Sequence, residues 1–112
     1  MWKDSVNFET LTVVAGSALT TSYVAAVTVT RPVIEFTIKN GTNGDIVAGI
    51  DGTTAKWGFP PNSGGAYDIT TNSPTYNQLM LSQGTTIFLK WQGSAPGSPI
   101  GNVYLEFMEV GT

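Results

Sequence analysis

Short apolar runs cut by Asn-Gly and Asp-Gly pairs constrain this chain more than any other feature, and the rhythm is clearest from Ile34 to Trp57. Ile34, Phe36 and Ile38 alternate with Glu35, Thr37 and Lys39, so each set shares one face of an extended strand. Asn40-Gly41 and Asn43-Gly44 follow, and both pairs turn a chain tightly because Asn and Gly tolerate positive φ. Ile46 to Ile50 is apolar again and stops at Asp51-Gly52. The pattern predicts a β-hairpin with a third segment attached, at the centre of a sheet.

The same rhythm runs through the rest of the chain. Phe8 to Val14 is rich in Thr and Val and reads as a strand, and Tyr23 to Val29 reads as a strand or an extended loop. Arg31-Pro32 holds Arg31 extended and opens the strand Val33 to Lys39, where a missing N–H donor is tolerated. Thr53–Trp57 and Ala66–Thr71 read as short strands, separated by a loop from Gly58 to Gly65 that contains Pro60-Pro61. Asn77–Ser82 is brief and apolar, centred on Leu79 and Leu81. Thr85–Trp91 alternates, with Ile87, Leu89 and Trp91 on one side, and Asn102–Val110 is the last strand, with Val103, Leu105 and Phe107 on one face; a Pro- and Gly-rich loop lies between them. No capped segment of helical period is visible. About seven or eight short strands with regular turn signals predict an all-β chain, a single antiparallel β-sandwich of jelly-roll or Ig-like type. Residues 1–7 read as an N-terminal arm and 8–112 as the domain. The expected core is Ile34, Phe36, Ile38, Val47 or its neighbours, Ile50, Ile87, Leu89, Val103, Leu105 and Phe107.

Composition narrows the chemistry. The 112 residues suit one domain, and 12% charged residues is about half of the ~25% usual in globular domains. The five basic residues are scattered singly and the net charge is −3, so no footprint for nucleic acid exists. With no Cys there are no disulfides or thiolate metal sites, and with no His the usual general base and zinc ligand are missing. No apolar run has the length of a membrane span, and the first residues lack the apolar core of a secretory signal, so synthesis and assembly in a cytoplasm are expected.

Asp45 and Asp51 sit at opposite ends of one strand, and Glu106 and Glu109 fall on opposite faces of another, so no local carboxylate pair offers acid–base hydrolysis. Asn43, Asp45 and Asp51 lack the spacing of an EF-hand loop. Serine has no histidine to activate it. Catalytic, metal and cofactor sites are therefore not expected, and the chain reads as a non-enzyme. Asn40-Gly41-Thr42 matches a glycosylation sequon but reads most simply as a turn. The aromatic residues are the best binding material. Trp57, Tyr67, Tyr76 and Trp91 could stack on sugar rings, although Trp91 also fits the core face with Ile87 and Leu89. Phe88, Tyr104 and Met108 fall on strand faces that would be polar if one side alone were buried. Either both faces are covered or a second apolar patch meets a partner. The candidate protein-interface set is Trp2, Trp57, Phe59, Phe88, Tyr104 and Met108.

Three stretches carry a resemblance: IDGTTAKWGFPPNSGGAYDIT from Ile50, LMLSQGTTIFLKW from Leu79, and GSPIGNVYLEF from Gly97. Together they resemble a group of small structural proteins of tailed bacteriophages, over about Val33 to Val110. The likeness lies in turn chemistry and strand pattern. It implies a β-sandwich subunit of a virion, as a capsid decoration (cement) protein or a small tail or head–tail component, and it brings no catalytic residues. The expected partners are virion proteins and further copies of the chain, with no nucleic acid and no membrane. The expected location is the virion, assembled in the host cytoplasm. A host-adhesion subunit and a carbohydrate-binding module are the alternatives.

Overall fold

The computed structural model describes residues 6–8, 10–68 and 81–110. It is all-β, with two antiparallel sheets packed face to face. The strands are β1 (Val6–Phe8), β2 (Thr12–Ala15), β3 (Val24–Thr28), β4 (Val33–Asn40), β5 (Ile46–Gly49), β6 (Trp57–Phe59), β7 (Ser63–Asp68), β8 (Thr86–Trp91) and β9 (Asn102–Val110). Sheet A runs β1-β9-β4-β7, with β2 also on β9, and sheet B runs β3-β8-β5-β6. β1 and β2 lie end to end along one side of β9. From Phe8 to Thr12 the chain advances four residues while β9 advances three, from Met108 back to Leu105.

The pairings are nested. β5 pairs β6, β4 pairs β7, β3 pairs β8 and β2 pairs β9. A long ribbon of such pairs, rolled so that β4 also meets β9 and β5 also meets β8, is a jelly roll. The nesting selects that member of the two expected sandwich types.

The expected hairpin between Ile34–Lys39 and Ile46–Ile50 does not form. β4 belongs to sheet A and β5 to sheet B, so Asn40–Asp45 is a crossing between sheets. The cause is Asn40, which continues the inward-facing series Phe36, Ile38 at the strand end and is 1% exposed. Its Nδ2 donates to the carbonyls of Gly44 (2.9 Å), Phe59 (2.9 Å) and Pro60 (3.1 Å). Its Oδ1 accepts from the Thr42 amide (3.0 Å) and from Thr42 Oγ1 (2.5 Å). One buried carboxamide thus satisfies the backbone of a corner and ties it to β6. The hairpin signal at Asp51-Gly52 is real and joins β5 to β6.

The core lies between the sheets and holds Phe36, Ile38, Ile46, Ala48, Ile87, Leu89, Trp91, Val103, Leu105 and Phe107. Phe36 stacks on Phe107 with ring centroids 6.1 Å apart and meets Trp57 edge-on at 5.2 Å. Ile34 and Val47 are buried as expected, outside that central cluster. Ile50 was expected in the core but is 38% exposed, because β5 ends at Gly49 and the residue already belongs to the turn. Trp91, 1% exposed, donates from Nε1 to the Leu19 carbonyl (3.1 Å) and anchors the connection from β2 to β3. Gly44 is required beside it, since an added Cβ would lie 2.9 Å from Trp91 Cζ3. Gly101, at φ +80°, is required at the start of β9, where an added Cβ would land on the Gly41 carbonyl.

Candidate interaction face

Alternation along β9 places Val103, Leu105, Phe107 and Glu109 inward, all buried, and leaves Tyr104, Glu106 and Met108 on the outer face of sheet A. Register carries that face across the sheet. Phe8 is opposite Met108, Val13 is opposite Tyr104, and Glu35, Thr37 and Lys39 of β4 face Met108, Glu106 and Tyr104. Glu106 forms an ion pair with Lys39 at 3.4 Å, with both side chains half exposed or more. Such a pair at high dielectric fixes little energy but sets local charge.

Beside that pair, and next to Glu35 and Thr37, one row of the face is apolar. Phe8 is 74% exposed, and Leu11 and Val13 are each 49% exposed. Tyr104 and Met108 are half-buried next to them. The surface is also uneven. Three shallow clefts of about 150, 360 and 450 Å³ open on this side of the molecule. The first is lined by Phe8, Glu35, Thr37 and Met108, the second by Phe8, Leu11 and Glu106, and the third by Lys39, Gly64 and Tyr104.

The sequence-derived candidates separate by location. Tyr104 and Met108 belong to this face. Phe88 lies on the outer face of sheet B, half-buried, with its ring close under Gly52 of the β5–β6 turn. Phe88 lies under the β5–β6 turn of its own chain, whereas the apolar row on sheet A is exposed. Phe59 does not belong to an interface set. It is 4% exposed, inside the core, because β6 continues through Gly58 and turns the ring inward. Trp57 is likewise packed against the core through Phe36 and is half-buried. Trp91 is a core residue and offers no flat platform for a sugar. Tyr67 stands on β7 opposite Phe36, and Trp2, Tyr76 and Leu79 lie outside the described residues. Phe8, Leu11 and Val13 were missed as surface residues. The signal that could have found them is their parity with Tyr104 and Met108 once β2 is paired with β9.

Charged groups elsewhere serve the fold. Asp51 Oδ1 accepts from the amides of Thr53 (2.9 Å) and Thr54 (2.8 Å), which lowers its pKa from 3.8 to about 2. Asn43 bridges to the loop before β9 through Ser98 O and Ile100 N. The Asn40 sequon is closed to a sugar by burial and by the three bonds of its Nδ2. Among the described residues no three His, Cys, Asp or Glu side chains gather as a metal site.

Comparison with protein-family models, with curated proteins and with solved structures returned no match.

Proposed function

We propose that the chain is a non-enzymatic structural subunit of a tailed-bacteriophage virion, a homo-oligomeric capsid decoration protein that works by protein–protein contact. The observation that carries this reading is the open apolar row on sheet A, formed by Phe8, Leu11 and Val13 beside Tyr104 and Met108. Apolar residues gathered on one face mark a surface that is covered in use. Jelly rolls serve as viral capsid domains and also as lectins and cupins, so the fold supports the reading without deciding it. The phage assignment itself rests on the resemblance of the Ile50–Phe107 motifs. The sugar-binding alternative loses Trp91, one of its four stacking candidates, which lies in the core.

The test is native mass by light scattering, for the chain alone and after mixing with emptied phage heads. A defined oligomer that coats heads is expected. A monomer that ignores heads overturns the reading. Tyr104→Glu should stay folded and dissociate, whereas unfolding would mean that this face is internal.

A further inference from the structure

A sandwich has four open sheet edges, and each is a template for another strand unless something blunts it. In this molecule the edges are unequal. β6 is three residues long and runs directly into Pro60-Pro61, which cannot donate. β3 carries a register shift between Ala25 and Val27 that bends it out of line. β7 opens with Ser63-Gly64-Gly65, whose two glycines present no side chains to hold a register.

The fourth edge is β2. Its ladder with β9 is regular over Thr12, Val13, Val14 and Ala15, with no charge, no proline and no glycine. Among the described residues no strand pairs its other side. The flanking side chains are Leu11 and Val13, both half exposed. Natural sheets place Lys, Pro or a bulge at such a position, and here the exposed positions are apolar instead.

We propose that β2 pairs antiparallel with β2 of a second copy of this chain, about a two-fold axis, so that sheet A continues across the contact. This rests on the homo-oligomer of the reading above and names the edge that forms it. An edge strand offers alternating N–H and C=O groups, and antiparallel pairing about a two-fold axis makes one such row complementary to itself. A second copy is the occupant that meets this need without further assumptions: the strand has no charge to repel its mate, and Val13 and Leu11 meet their own symmetry equivalents on the outer face. The exposed area of Phe8, Leu11 and Val13 is on the order of 300 Å², well short of the ~800 Å² per partner of a standard interface. Side-chain burial at that row alone therefore makes a weak contact, and backbone pairing supplies the rest of its specificity.

The test uses the whole chain. Its mass is followed by light scattering over a concentration series, and amide hydrogen exchange is read at Thr12–Ala15. Val13→Lys places a charge on an exposed position of the edge, and Ala25→Lys does the same on the β3 edge as a control. The expected result is a dimer unit whose β2 amides gain protection with concentration, lost in Val13→Lys and kept in Ala25→Lys. If oligomers persist in Val13→Lys, the edge pairing is overturned while the subunit reading stands. If the chain is monomeric and β2 is protected only when emptied heads are added, the partner is a different protein and self-pairing is overturned. A chain that is monomeric and ignores heads overturns both. Should Val13→Lys unfold, the concentration dependence of wild-type β2 exchange decides alone, and exchange that does not change with concentration rejects the pairing.

Discussion

Removing the Asn40 carboxamide should open the corner between the sheets. In Asn40→Ala the buried Phe59 carbonyl and Thr42 amide lose their partner, the Thr42 hydroxyl keeps the Gly44 carbonyl, and the Gly44 and Pro60 carbonyls are part-buried and reach water more easily. A buried polar group left without a bond costs ~1–3 kcal/mol, so the expected loss is about 4 kcal/mol. For a domain of this length that is a fall in Tm of about 15 °C. Asn40→Asp sharpens the test. It keeps the shape and the acceptor for Thr42 but turns the donor into an oxygen facing three carbonyl oxygens. Burial and those oxygens hold such a carboxyl above its ordinary range. A group with a raised folded-state pKa is stabilising below its unfolded pKa and loses that contribution as pH rises. Asn40→Asp should therefore lie far below wild type in urea unfolding at pH 7 and approach it at pH 4. A variant within about 1 kcal/mol of wild type at pH 7 would refute the assignment of the corner to the two amide hydrogens.

Two further substitutions probe the frame. Trp91→Phe removes the Nε1 bond to Leu19 and part of a buried ring, and should cost about 2–4 kcal/mol in urea unfolding with an unchanged m-value. Asp51, whose folded-state pKa is lowered to about 2, contributes stability that is complete above 3.8 and is lost as pH falls toward 2, and Asp51→Asn should lack that acid-limb slope when unfolding is followed from pH 5 to pH 2.

Much of the frame was legible in the chain. β8 and β9 could be read almost to the residue because each keeps one face buried over its whole length, and that demand enforces strict alternation. The partition of strands between sheets was not legible. Asn-Gly pairs signal a reversal, and a reversal looks the same locally whether the next strand pairs with the last one or crosses to the opposite sheet. The distinction lay in Asn40 facing inward, which follows from parity with Phe36 and Ile38 but has value only once its distant acceptors at Phe59 and Pro60 are known. Phe59 misled for a related reason: Gly58 and Pro60 give it the company of a loop, while three residues of pairing with β5 suffice to bury it. Tyr104 and Met108 were found because they break the alternation of a strong strand. Phe8, Leu11 and Val13 sit in a weakly alternating segment, where no such break is visible.

The nested pairing also sets an order of events. β2 lies near residue 12 and its partner on β9 near residue 105, so the ladder joins opposite ends of the described chain. Ribbons closed over such separations form late and slowly, on the millisecond-to-second scale of other all-β topologies. Tyr104 and Met108 lie on the last strand and Phe8 and Val13 on the first two. The exposed apolar row therefore does not exist as a surface until the fold is complete. A chain still being synthesised, or one that has failed to close, cannot display it.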